Sequence, residues 1–143
     1  MSRFVFTIFA VLASLCVYAM ARESRQVGNV QCNLARLAIV SNLSKTNKAV
    51  GAIDTTDATV ASAVTAAQTG LDGADAGIKT IATSLFSGKA ADPAARDQVG
   101  KGLTDAMTAL NGITNSTDTN VAAAIKSLTK AIGNGEDVVS TCK

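Results

Sequence analysis

The sequence predicts an all-α protein, an antiparallel bundle of four to five amphipathic helices closed by one disulfide. Three observations carry that reading. Apolar residues recur every three or four positions along most of the chain, no stretch alternates as a strand would, and a pair of cysteines brackets the folding segment.

The folding segment follows a leader. "MSRFVFTIFAVLASLCVYAMARES" opens on Arg3, runs apolar from Phe4 to Met20, and closes on the small-x-small triplet Ala19-Met20-Ala21. The run is short for a membrane span, which takes about 20 residues, and the triplet suits a signal peptidase. A signal peptide over 1–21, cleaved after Ala21, is therefore expected. Residues 22–143 then make a single helical-bundle domain, secreted and extracellular, with no transmembrane segment after cleavage.

Removing the leader sharpens the composition. Arg3 leaves, so 22–143 is close to neutral and exerts no overall pull on nucleic acid or anionic lipid. Cys16 leaves too, and Cys32 and Cys142 remain. In an oxidising compartment a lone pair has one intramolecular solution, which predicts a Cys32–Cys142 bond. That bond joins the first helix to the chain end and encloses nearly the whole domain. The chain-entropy account gives such a loop about 4–5 kcal/mol.

In the first helix Val30, Leu34 and Leu37 form one apolar stripe, and Ile39, Leu43, Val50 and Ile53 form another. Two stripes predict packing on two sides. "DTTDATV" breaks the pattern, with Asp54, Thr55 or Thr56 as the cap and Asp57 in the first turn of the next helix. From there Val60, Val64, Ala67, Leu71, Ala74, Ile78, Ile81 and Leu85 step by four and three without a miss. Gly70, Gly73 and Gly77 lie within this register, each costing up to about 1 kcal/mol against alanine. One long helix with a soft middle is preferred over two helices meeting near 70–77.

"SGKAADPAARD" is the clearest boundary: Gly88 ends a helix, Asp92 caps the next and Pro93 takes its first position. Val99, Leu103, Ala106, Leu110 and Ile113 then repeat the spacing. "NGITNSTDTN" is turn-rich, with Asp118 as a cap. The last helix carries Val121, Ile125, Leu128 and Ile132, and "GNG" at 133–135 is expected to interrupt it before Val138, Val139 and Cys142. Large apolar residues are sparse, so helices must meet largely through alanine, serine, threonine and glycine. Such contacts allow close approach but bury little area per residue.

The chemistry is limited by what is missing. Without histidine there is no imidazole base, no Ser-His or Cys-His nucleophile and no histidine metal site. Paired cysteines leave no thiolate. Asp72 and Asp75 share a helix face but lack the alternating ligands of a calcium loop, and read as solvated surface. The same holds for Glu136 with Asp137 and for Lys126 with Lys130. "GKGLTD" at 100–105 lacks the upstream glycine of a phosphate loop, since Ala95 stands there. No basic cluster or aromatic platform suits nucleic acid. No catalytic residue, metal ligand or cofactor is assigned.

Two sequons, Asn42-Leu43-Ser44 and Asn115-Ser116-Thr117, are candidate glycosylation sites, the second in an accessible turn. Phe86, the sole aromatic of 22–143, is expected to fill the core, with plugging the bundle or lining a small pocket as the alternative. Thr55, Thr56, Thr59, Thr65 and Thr69 keep no constant interval, which argues against a flat ice-matching face. The function expected is a secreted non-enzymatic binding protein that engages a small amphiphile or a hydrophobic surface through its bundle. The alternative is a structural or signalling module recognised by an extracellular protein partner. Neither reading assigns ligand-binding residues.

Overall fold

The computed structural model describes residues 29–114 and 117–142. Among them are four helices and no strand: α1 Val30–Gly51, α2 Ala58–Phe86, α3 Pro93–Asn111 and α4 Thr119–Thr141. The expected signal peptide, with its expected cleavage site, and the second sequon residue Asn115 lie outside the described residues.

Local chemistry sets most of the boundaries. Asn29 begins α1 by accepting from the Gln31 and Cys32 amides. Asp92 accepts from the Ala94 amide, and Pro93 follows in the first turn of α3. Asp118 accepts from the Asn120 amide at the start of α4. The cap of α2 is Asp57, which accepts from Thr59 and Val60. That corrects the expectation of a cap among Asp54, Thr55 and Thr56. Asp54 instead accepts from the Thr56 amide within the turn.

Gly88 closes α2. Its φ of 70° lies in the left-handed region, which a residue without Cβ enters freely. The Gly88 amide then donates to the Leu85 carbonyl and the Lys89 amide to the Ser84 carbonyl, two of the carbonyls a helix end leaves over. Between Asp57 and Gly88, α2 is one unbroken helix, as its register predicts.

The helices form two intimate pairs, α2 with α3 and α1 with α4, while α3–α4 and α1–α2 meet less extensively. Each pair is antiparallel. Gly70 faces Gly102 while Gly77 faces Ala95, and Cys32 bonds Cys142 while Asp54 meets Asp118. The pairs share one core, in which Val50, Leu71, Leu110 and Leu128 are fully buried. Removing a leucine or valine side chain from water contributes about 1.5–3 kcal/mol. Alanine supplies much of the rest, with Ala67, Ala74, Ala106, Ala124 and Ala131 sealed completely.

Two further expectations need correction. Of the α1 stripes only Ile39–Leu43–Val50 is buried, with Ile53 just beyond the helix. Val30, Leu34 and Leu37 are 57–71% exposed, because α4 and the core take one side of α1 and no described segment covers the other. Second, α4 runs through Gly133, Asn134 and Gly135 to Thr141. Asn134 is gripped there by Asn42 of α1, whose Nδ2 donates to its Oδ1 at 2.9 Å. Cys142 is tethered beyond. These ties outweigh the glycine penalty of about 1 kcal/mol each.

Candidate functional site

The two pairs are held by different means, and the site lies where they part. In α2/α3 the backbones touch. A Cβ on Gly70 would stand 2.7 Å from the Gly102 carbonyl oxygen and 2.8 Å from the Ala106 nitrogen. A Cβ on Gly102 would run into the Gly70 carbonyl oxygen. The α1/α4 pair is tied at both ends and in the middle. The Cys32–Cys142 disulfide, with Cα atoms 5.1 Å apart, closes one end, where Asn29 Nδ2 also donates to the Thr141 carbonyl at 2.9 Å. At the other end the Asp54 amide donates to Asp118, and Asn120 Nδ2 donates to the Ala52 carbonyl, each at 2.9 Å. Asn42 and Asn134 join the middle.

A partly open cavity of about 720 Å3 occupies the space between the pairs at the disulfide end. All four helices line it. Its inner walls are aliphatic, from Ile39 on α1, Ile78 and Ile81 on α2, Leu103 on α3 and Ile132 on α4. One or two turns nearer the disulfide stand Arg36, Leu85, Ala91, Arg96, Val139 and Cys142. The volume is that of an ordinary small-molecule site, and apolar walls with few polar groups are typical of one.

Three charged side chains reach this cavity: Arg36 from α1, Arg96 from α3 and Glu136 from α4. Arg36 is half-buried, and its Nη1 donates to Asn33 Oδ1 at 3.3 Å. Arg96 is more exposed, and its Nη2 donates to the Ala91 carbonyl at 3.1 Å. Burial, and after it the like charge of Arg96, hold the Arg36 guanidinium below the usual arginine range. Two cations thus face one space from opposite helix pairs.

The residues singled out from sequence fall elsewhere. Cys32 and Cys142 form the disulfide. Asn42 is half-buried and its Nδ2 serves the bond to Asn134, so a glycan on that nitrogen would have to displace the bond. Asp72 is exposed, and Asp75 pairs with Lys79 at 2.7 Å on the surface. Lys126, Lys130 and Asp137 are exposed. Residues 100–105 are α3 interior, with Gly102 against Gly70. Phe86, expected in the core or at a pocket, is 93% exposed beside the Gly88 turn and is not part of the cavity wall.

Arg36 and Arg96 were legible as a pattern nonetheless. Arg36, Ile39 and Leu43 are spaced i, i+3, i+7, and so are Arg96, Val99 and Leu103. Each arginine sits where its helix's apolar stripe should continue, Arg36 nearly two turns from the start of α1 and Arg96 one turn from the start of α3. A cation in a stripe position is a signal that the stripe there meets something other than core.

Among the described residues no three histidine, cysteine, aspartate or glutamate side chains gather as a metal site would, and no helix is long and apolar enough to cross a membrane. Comparison with protein-family models, with curated proteins and with solved structures gives no match to this chain.

Proposed function

We propose that the protein is a secreted, non-enzymatic carrier that takes the apolar tail of a small amphiphile into the cavity between its helix pairs. The aliphatic cavity of about 720 Å3, walled by all four helices, is the observation that supports this reading. Each methylene moved from water into such a site contributes about 0.8 kcal/mol, so a single hydrocarbon tail supplies most of the affinity. The disulfide is in keeping with an oxidising compartment.

The test is fluorescence of the neutral probe N-phenylnaphthylamine titrated with the disulfide-bonded protein. Saturable enhancement is expected, and Ala82→Trp, which fills the cavity from α2, should abolish it while leaving helical circular dichroism unchanged. Unaltered probe binding in that variant would place the apolar site elsewhere and end the carrier reading.

The exposed stripe of α1 favours a second reading, in which Val30 and Leu34 engage a hydrophobic surface or a protein partner. Val30→Glu with Leu34→Glu should then reduce adsorption to hydrophobic beads and spare probe binding. The carrier reading predicts no link between the two properties.

A further inference from the structure

The large apolar side chains left exposed are not scattered over the bundle. Among the described residues they are Val30, Leu34, Leu37, Val40, Phe86 and Val139, and all six belong to the half that holds the disulfide and the cavity. Leu37, Val40 and Val139 line the cavity while facing solvent, so they form its rim. Val30 and Leu34 flank Cys32, two residues to either side, and Phe86 follows the wall residue Leu85 at the close of α2. The opposite end differs. Beside the α1–α2 and α3–α4 turns, Ile53 and Val121 are buried and Val60 and Ile113 half-buried.

An exposed apolar patch of this kind marks a surface that meets a partner, and two features specify which. The cavity opens within the patch. A protein seated there would close it, whereas a lipid surface covers the patch and also supplies the amphiphile that the cavity takes. Charge at this end is mixed, with Arg36, Lys89 and Arg96 set against Asp92, Asp97, Glu136 and Asp137. The signs nearly balance among the described residues, so the attraction comes from apolar contact and not from the field of an anionic membrane. Phe86, the sole aromatic of 22–143 and 93% exposed, gains hydrocarbon to enter.

We propose that the disulfide end docks on a zwitterionic lipid surface, with Val30, Leu34, Phe86 and the rim residues entering the interface and the cavity mouth turned toward the lipid. This rests on the carrier reading and adds where the ligand is collected.

The experiment is flotation of the purified disulfide-bonded protein with phosphatidylcholine vesicles, which reads docking without any ligand. The chain contains no tryptophan, so Phe86→Trp and, in the exposed turn at the opposite end, Thr55→Trp each supply a single reporter of depth. With brominated phosphatidylcholine, emission of the Phe86→Trp variant should shift to the blue and be quenched, and that of the Thr55→Trp variant should do neither. Val30→Ser with Leu34→Ser should weaken vesicle partitioning at least about tenfold, since burying one leucine is worth that factor or more. Binding of N-phenylnaphthylamine from water should be unchanged in that double variant.

Absence of flotation in protein that still binds the probe would overturn the docking and leave the carrier intact. Equal quenching of the two reporters would overturn the end-on orientation. Flotation only with phosphatidylserine vesicles would put charge in place of apolar contact and overturn the assignment as well. A mass that doubles with protein concentration, without flotation, would give the patch to a second copy of the chain. Flotation without any probe binding would end the carrier reading and keep the docking. Flotation of the unaltered protein decides the matter should a substitution impair folding.

Discussion

The two helix pairs of one bundle solve the same packing problem in opposite ways. In α2/α3 neighbouring segments come so close that glycine on one helix lies against backbone on the other, and contact itself is the adhesive. In α1/α4 the partners come from opposite ends of the chain and are joined by a disulfide and four side-chain hydrogen bonds spread along their length. Segments adjacent in sequence need only shape. Segments far apart in sequence carry a larger loop-closure penalty and are held by specific links. Each pair is internally secured, and the cavity lies between the two pairs at the disulfide end.

The largest effect should come from breaking the covalent link. With 110 residues between its ends, the disulfide contributes about 4–5 kcal/mol by the loop-entropy account. Cys32→Ser with Cys142→Ser should therefore lower Tm by about 10–20 °C, with helical circular dichroism retained in the cold. An unchanged melting curve would show that the noncovalent ties alone hold α1 to α4.

Next comes the backbone contact of the other pair. Gly102→Ala places a methyl against Gly70 and Ala74 with no room to move, and should destabilise by about 1–3 kcal/mol despite better helix propensity. Gly73→Ala, one turn from Gly70 but facing open space, should instead stabilise by up to about 1 kcal/mol. Urea denaturation of both variants gives the sign. Matching signs would mean that α2 and α3 do not rely on close approach.

A smaller change is expected from Asn134→Ala, which removes the mid-helix bond from Asn42 and should cost about 1 kcal/mol in the same assay. The weakest effect concerns pH. The Val60 and Thr59 amides hold the Asp57 carboxyl below the usual range, and the Asp54 and Asn120 amides do the same for Asp118. The unfolded chain therefore takes up these protons first, so their contribution is full above about pH 4 and disappears as pH falls through the lower folded values. Tm should be flat from pH 7 to 5 and decline below, and Asp57→Asn with Asp118→Asn should shrink that decline. The α1/α4 pair contains the Asp118 tie, so Asp118→Asn alone should have the larger share.

How much of this was legible in the residues depends on the range of the interaction. Asp92, Pro93, Asp118 and Gly88 act within a turn of themselves, and each does what its type implies. The continuity of α2 follows from an unbroken register, and the disulfide from the arithmetic of two cysteines. The choice between the α1 stripes was not legible, because Val30–Leu34–Leu37 and Ile39–Leu43–Val50 are equally apolar and only the position of α4 distinguishes them. Nor was the passage of α4 through Gly133 and Gly135, where contacts with α1 override local preference. Gly70 reads as a weak point along its own helix and becomes a necessity only beside Gly102. The cavity belongs to four helices at once, and its sole local trace is an arginine standing in each of two apolar stripes.

The connectivity also bears on how the chain reaches this arrangement. The α2/α3 hairpin needs only its own short turn, which places it among fast, local events, whereas α1 and α4 must find one another across everything between them. Once Cys32 and Cys142 are bonded, α4 becomes a neighbour of α1 in topology, and that search contracts to a short covalent span. Oxidised and reduced chains should thus refold to the same bundle at different speeds. The oxidised chain should be faster, with the difference confined to the docking of the terminal helices.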